Sequence, residues 1–320
     1  MQDKIKSVGQ ALLAMQRQSW EQGVAAQAFF ELGDTKTALL LVEEAVHRSN
    51  GKGLIAVSNS VWDTLDCGSN GLPAYYAYLH TKNEKYLKAA DDMADWFEFS
   101  ASRRENGHLY HNPNRIVCMI DGIYHIVPVL VVTGRADFAM KQIKLYHELH
   151  IDPKTGLYRQ LWDDATRSFL RRDLWTTGNS WMAGALALGH KLMPEDKSEY
   201  RKTLAGMLSD LVDAMLPYLR DDCMFHDVIN DPTTFAEVAA PTLLAYSIYT
   251  GISSGALSSD KKAIADKIMS HVETHIDDDG FVNDACASPS FNKLGRSAEA
   301  QSFYMLAYAA KNDTFELKLP

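Results

Sequence analysis

The chain has 320 residues, 46% of them apolar and 23% charged, an ordinary globular composition that excludes a disordered or collagen-like polypeptide. Its 32 Lys and Arg against 41 Asp and Glu leave a scattered formal charge of −9, so neither a nucleic acid nor an anionic membrane is an expected partner. No apolar run reaches the roughly 18 residues that a membrane span needs.

Read from the start, MQDKIKSVGQALLAMQRQSW has polar residues inside its apolar stretch and no small-residue cleavage site, so it predicts a helix rather than a signal peptide. Ser19-Trp20-Glu21-Gln22-Gly23 then opens the nearly uncharged VAAQAFFELG, and Asp34 stands as a cap before a helix beginning Thr35-Lys36-Thr37. Asp66-Cys67-Gly68-Ser69-Asn70 opens GLPAYYAYL. The segment Glu84–Phe97 places Tyr86, Leu87, Ala90, Met93, Ala94 and Phe97 on one helical face. Asp121-Gly122-Ile123-Tyr124 opens HIVPVLVVTG, and Thr177-Gly178-Asn179-Ser180-Trp181 opens MAGALALG. Phe235-Ala236-Glu237 opens VAAPTLLAYSIYTG, the segment Lys262–His275 carries the stripe Ile264, Ile268, Val272, and Ser297-Ala298-Glu299 opens AQSFYMLAYAA. Strand signals are short and isolated, as at Leu157-Tyr158 and Gly280-Phe281-Val282.

The six polar openings, counted from Trp20, Asp66, Asp121, Gly178, Glu237 and Ala298, are 46, 55, 57, 59 and 61 residues apart. A period near 50 with two helices per unit means stacked helical hairpins. Helices that are apolar all round are buried on both sides, whereas those between them show one apolar stripe. Six of each predict two concentric rings, an all-α (α/α)6 toroid, as one domain over residues 1–320. An open solenoid is the rival, and it would need polar capping repeats that the sequence lacks. The ring gathers its polar openings at one end, where exposed helix amides favour anionic ligands. Trp20, Trp175, Trp181, Asp66, Asp121, Asn179, Glu237 and Ser297 fall there, and aromatic faces beside carboxylates and amides suit a sugar.

Other motifs are weighed against plain roles. An Asp in a first helical turn is by default a cap, and a Trp by default core; Trp62 and Trp96 stay with that reading. His108 and His111 form a His-x-x-His pair in a Gly- and Pro-flanked loop that lacks further zinc ligands, so His111 or Asn112 facing the pocket is preferred to a metal. Phe225-His226-Asp227 reads as a turn beneath the pocket, with His226 a weaker candidate. Asp277-Asp278-Asp279-Gly280 lacks the acid of a calcium loop at its twelfth position, where Ser288 stands. Asp163-Asp164 reads as a solvated turn. Cys67, Cys118, Cys223 and Cys286 form no CxxC pair, which with the missing export signal predicts a reduced, cytoplasmic chain; separately, a monomer or homodimer is expected.

Taken together, SWEQGVAAQAFFELGD, TLDCGSNGLPAYYAYLHTKNEKYL, IDGIYHIVPVL, TGLYRQLWDD, WTTGNSWMAGAL, FHDVINDPTTFAE and FVNDACASPSFNKLGRSAEAQSF resemble the unsaturated glucuronyl and rhamnogalacturonyl hydrolases of glycoside hydrolase families 88 and 105, in a fungal-type form. The resemblance covers nearly the whole chain. It implies an (α/α)6 barrel that removes a 4,5-unsaturated uronic acid from the non-reducing end of lyase-generated oligosaccharides, without metal or organic cofactor. It further implies that an aspartic acid protonates carbon 4 and that water, activated by the resulting carboxylate, adds at carbon 5. Asp121 matches the acid/base aspartate and Asp66 its pocket partner. Trp20, Trp175 and Trp181 match the subsite aromatics, and Asn179 falls in the Trp-x-x-Gly-Asn-x-Trp pattern. Gln160 stands where many members have His, and Thr177 where bacterial relatives often have Arg, a group able to grip a carboxylate, for which Arg171 and Arg172 just upstream are the substitutes that the sequence offers. Gln160 can still bond substrate. To act as an acid, Asp121 needs a pKa well above roughly 3.9; Ile120, Ile123 and Tyr124 around it and the charge of Asp66 push that way. The same scaffold turned to another proton-driven step such as a cyclisation, a non-catalytic sugar-binding ring, and an ordinary two-carboxylate glycosidase are the alternatives.

Overall fold

A computed structural model describes residues 2–60, 63–112, 114–171, 173–288 and 290–315. Trp62 and Arg172 lie outside the described residues, as does the side chain of Arg171. Twelve α-helices run through the described part: α1 (Gln2–Met15), α2 (Ser19–Glu31), α3 (Thr35–His47), α4 (Gly71–Thr81), α5 (Glu84–Asp95), α6 (Gly122–Val132), α7 (Ala136–His150), α8 (Thr176–Leu192), α9 (Ser198–Met215), α10 (Ala239–Ser253), α11 (Lys262–Val272) and α12 (Ala298–Asn312).

Local chemistry starts several of them. Asp34 accepts from the Thr37 amide at the head of α3, Asn83 does the same for Lys85 in α5, and Ser297 for Ala300 in α12. In α5 the buried face is Tyr86, Ala89, Ala90, Met93 and Ala94, with Leu87 only half-buried. Phe97 is buried from the π-helical turn Trp96–Ser100 that follows, and Trp96 packs edge-on against it. In α6 every residue from Gly122 to Val131 is buried, as is every residue of α10 from Ala239 to Gly251.

That contrast sorts the helices into two rings. Inside, α2 packs on α4, α4 on α6, α6 on α8, α8 on α10, α10 on α12, and α12 returns to α2. Outside, α3, α5, α7, α9 and α11 each lie on the inner helix that precedes them, and α1 lies on α12. The first helix thus completes the last hairpin. The architecture is an (α/α)6 toroid, closed rather than an open solenoid.

The centre is filled from both ends of the ring. Tyr76, Tyr124, Tyr246, Tyr304 and Phe303 are fully buried, each contributing on the order of 1.5–3 kcal/mol of burial. Near the C-terminal end of α2, Gln27 bonds Glu31 at 2.8 Å and the Tyr246 hydroxyl at 3.1 Å, while Tyr124 donates to Gln27 at 3.0 Å. Burial raises the Glu31 pKa, and this satisfied network plugs the ring opposite the inner-helix starts.

Backbones approach closely where α2 meets the 3-10 turn Asp66–Asn70. A Cβ on Gly23 would stand 2.4 Å from the Ser69 hydroxyl and 2.5 Å from its carbonyl carbon. Alanine favours a helix over glycine by up to about 1 kcal/mol, but a backbone atom cannot swing aside as a flexible side chain can. The clash decides the sign. Gly23→Ala is expected to destabilise by about 1–3 kcal/mol, read as a lowered midpoint in thermal denaturation.

The loops at the inner-helix starts hold the strands: β1 (Val117–Met119), β2 (Ile151–Asp152), β3 (Leu157–Tyr158), β4 (Leu161–Asp163), β5 (Ser168–Arg171), β6 (Phe225–His226), β7 (Ala236–Glu237), β8 (Ala285–Cys286) and β9 (Leu294–Gly295). β1, β4 and β5 make an antiparallel sheet with Met119 opposite Leu161, and the others pair as β2–β3, β6–β7 and β8–β9. Leu157-Tyr158 is thus a strand, whereas Val282 makes one isolated bridge to Ile276. Asp277 closes the turn before Gly280 by accepting from the Phe281 amide and from Arg296. Asp164 departs from the expected solvated turn. It accepts from Arg104, Tyr110 and Trp162 at 2.6–2.9 Å, because the β1–β4 pairing brings the 102–110 loop over it.

Candidate active site

A cavity of about 270 Å³ opens among the starts of the inner helices. Trp20, Asp66, His111, Asp121, Trp175 and Trp181 line it, so six of the eight predicted site residues, which span 161 positions of sequence, come together.

Asp121 occupies the N-cap position of α6, yet its side chain makes no capping hydrogen bond. The default role for an aspartate there is therefore not the one it plays. Its Oδ1 is buried with no hydrogen-bond partner among the described residues. Burial, opposed by the His111 charge and aided by that of Asp66, pushes its pKa up to about 6. Gly122 lets His111 close in: a Cβ there would stand 2.9 Å from the imidazole Nδ1.

His111 sits between the two aspartates. Its Nε2 donates to Asp66 Oδ1 at 2.6 Å, and its Nδ1 lies 3.5 Å from Asp121 Oδ1. The loop is held by the His111 amide donating to the Val117 carbonyl at 2.8 Å. Burial alone would discharge the ring, but the charges of Asp66 and Asp121 and the bond to Asp66 outweigh it and push the pKa up to about 9. His111 is therefore an imidazolium at neutral pH. His125, one turn beyond Asp121 on the same face of α6, comes within 3.8 Å of Asp66. Burial pushes its pKa down to about 4, which makes this a polar contact between a neutral ring and a carboxylate. His108 has turned away, stacked on Tyr146 and bonded to the Leu109 carbonyl, so the His-x-x-His pair is split. Among the described residues no group of three or more His, Cys, Asp or Glu is placed to hold a metal ion.

Opposite this set the wall is aromatic. Trp175 and Trp181 stand at the start of α8, joined by Phe291 and Phe303, with Trp181 edge-on to Phe303 at 4.8 Å. The Trp175 Nε1 has no partner among the described residues. Trp20 donates to Glu299 Oε1 at 2.7 Å across the join between α2 and α12. Ser297, Thr177 and Cys286 add small polar groups to a surface otherwise made by Met119 and Ala239. No Lys or Arg lines the cavity among the described residues.

Two predicted residues do not line it. Asn179 is fully buried and committed to backbone: it accepts from the Tyr158 amide at 2.8 Å and donates to the Tyr158 and Trp175 carbonyls. It fastens β3 to the start of α8 and positions Trp175. Gln160 is buried behind the Asp121 turn, where its carbonyl accepts from the Ile120 amide at 3.0 Å. Glu237, also in the polar set, caps α10 by accepting from Ala239 and Ala240. His226 bonds the Thr234 carbonyl and Arg220 away from the cavity, while the neighbouring Asp227 carbonyl receives the Thr176 amide beneath α8. Reading the sequence missed His125 and Glu299 as site residues. His125 was detectable at four residues from Asp121 on one helix, and Glu299 within the polar opening of the last inner helix.

Comparison with known proteins agrees with this geometry. A model of Glycosyl Hydrolase Family 88 matches residues 1–317. The chain is 24% identical over 234 residues to the unsaturated rhamnogalacturonyl hydrolase YesR of Bacillus subtilis (strain 168), a match spanning 68% of this chain and 65% of that relative's length. In fold it is similar to a possible member of the GH105 family from Klebsiella pneumoniae, with a TM-score of 0.82 at 18% identity over 98% of this chain and 93% of that one. It is likewise similar to the unsaturated glucuronyl hydrolase of Bacillus sp. GL1, responsible for the degradation of glycosaminoglycan, with a TM-score of 0.70 at 13% identity over 93% of this chain and 88% of that one. No helix among the described residues is long and apolar enough to cross a membrane. With its ring closed, its carboxyls gathered at one end and the family's pattern matched over nearly its whole length, the chain belongs to Glycosyl Hydrolase Family 88.

Proposed function

We propose that the chain is a glycosidase that removes a 4,5-unsaturated uronic acid from the non-reducing end of lyase-generated oligosaccharides, working in the cytoplasm without a cofactor. Family membership supports hydrolysis over a recruited scaffold or a non-catalytic sugar-binding ring. The observation that carries the reading is Asp121: a carboxyl on the cavity wall with one oxygen unbonded by protein and a pKa near 6. Such a group holds its proton up to about pH 6 and still supplies it from a minor fraction of molecules at neutral pH, as a general acid does.

In the proposed reaction Asp121 gives its proton to carbon 4 of the enol ether. The ring oxygen shares the positive charge left at carbon 5, and the new Asp121 carboxylate takes a proton from the water that adds there. The resulting hemiketal opens to a keto acid, and the freed hemiacetal at carbon 1 releases the next sugar. One water is consumed and the acid is restored. His111, fixed by Asp66, keeps a positive charge beside Asp121 and so stabilises its carboxylate during the step. Trp175, Trp181 and Trp20 offer aromatic faces to the apolar faces of the pyranose. The four cysteines are free and buried, which supports the cytoplasmic assignment.

Mixing the protein with a panel of lyase digests is expected to abolish the ultraviolet absorbance of the conjugated enol-uronate. Survival of every unsaturated disaccharide in the panel would refute the reading.

A further inference from the structure

The proposed substrate is an anion, yet the cavity presents no Lys or Arg among the described residues, and Thr177 replaces the Arg that the resemblance leads one to expect at its position. His111, the one cationic side chain that lines it among the described residues, is engaged by Asp66. Among the described residues, then, the partner of a carboxylate is to be sought in the other polar groups of the cavity.

Glu299 has the geometry for it. The side chain is 6% exposed and lines the cavity; Oε1 accepts from Trp20 Nε1 at 2.7 Å, and Oε2 is buried without a partner among the described residues. In a neutral carboxyl the carbonyl oxygen accepts and the hydroxyl donates. Trp20 fills the first function, which leaves the second pointing to a ligand. We propose that Glu299 is a substrate-binding residue whose protonated carboxyl, oriented by Trp20, donates a hydrogen bond to the substrate's carboxylate, so that the anion enters together with one proton.

The surroundings favour the proton. Glu21 on α2 faces Glu299 with a like charge, and Ser297 and Cys286 are its neutral neighbours from α12 and β8. Glu237, ahead of α10, is spent on backbone amides; Asp66, His111, Asp121 and His125 belong to the same cavity. Burial and the charge of Glu21 push the Glu299 pKa up to about 7, against hydrogen bonding by Trp20, the Glu299 backbone and Ser297, which pulls it down. Below about pH 6, with Asp121 and Glu299 both protonated and His111 offsetting Asp66, the cavity carries no net charge to repel an anion.

This inference rests on the proposed substrate class, and its test separates the two. Asp121→Asn protein, inactive by design, is titrated calorimetrically at about pH 8 with an unsaturated uronyl disaccharide in two buffers of different ionisation enthalpy. Uptake of close to one proton per bound disaccharide is expected, falling to near zero when Glu299→Gln is added, since an amide donates without taking a proton. In the active enzyme, KM is expected to rise about tenfold per pH unit above 7, because only the protonated fraction binds. Glu299→Gln flattens that rise, and Trp20→Phe moves it to higher pH by removing the bond that lowers the pKa. Glu299→Ala, lacking any donor, raises KM by roughly tenfold or more at acid pH. Absence of disaccharide binding, binding without proton uptake, or an unchanged KM profile in Glu299→Gln overturns the assignment. Proton-coupled binding with no turnover by the wild-type chain would instead overturn the proposed reaction and leave Glu299 in place.

Discussion

Asp121→Asn is expected to lower the hydration rate by roughly 10²–10⁴-fold, the usual cost of losing a general acid and base. The amide fills the same volume and Asp121 caps nothing, so the fold should survive the exchange. The comparison to make is kcat on an unsaturated disaccharide together with the thermal midpoint. A fall in kcat with an unchanged midpoint supports the chemical role. An unchanged kcat sinks it. In the parent chain the same carboxyl predicts a pH profile. The acid form is needed, so kcat/KM falls as pH rises through about 6, the value to which burial holds Asp121.

The second large effect belongs to His111. His111→Asn removes the cation that lies 3.5 Å from Asp121 and 2.6 Å from Asp66. Two consequences share one sign. The Asp121 carboxylate loses an attractive charge, and the negative charge of Asp66 acts on it without an intervening cation. Both raise the Asp121 pKa, so the alkaline limb of kcat/KM should move to higher pH. The rate at the optimum should nonetheless fall, by about 10²-fold if Asp121 is displaced by an ångström or so. A limb that stays in place, or moves down, would show that the three side chains do not titrate as a unit. Because His111 touches both carboxyls, its replacement should exceed any single change in the aromatic wall.

Much of the architecture was legible because burial leaves a pattern in composition. The segments 122–131 and 239–251 are apolar on nearly every side, whereas 84–97 is apolar on one, and hairpins that pair a helix of an inner layer with one of an outer layer satisfy both. The six polar openings announced where the site would be. The aspartates and tryptophans among them came together as their spacing required, since each inner helix is followed by an outer one that runs back, and successive inner helices therefore start at the same end. Asn179 shows the limit of that reasoning. A polar residue at an inner-helix start can turn toward the cavity or toward the backbone of the loop above it, and the Tyr158 amide and carbonyl claimed it. Asp164 reads as solvated for a similar cause, since Arg104 and Tyr110, which bond it, lie in a loop 54 to 60 positions away.

By itself, then, the order of residues determined the hairpin count, the two classes of helix and the end of the ring that carries carboxyls, because each follows from periodicity and short-range chemistry. Only the tertiary structure decided that α12 meets α2 and closes the circle, that His111 stands between Asp66 and Asp121, and that Trp20 holds Glu299. Those contacts join positions 10 to 279 residues apart. The charge state of each group depends on which neighbours packing selects and how far it excludes water, and neither is written in local sequence.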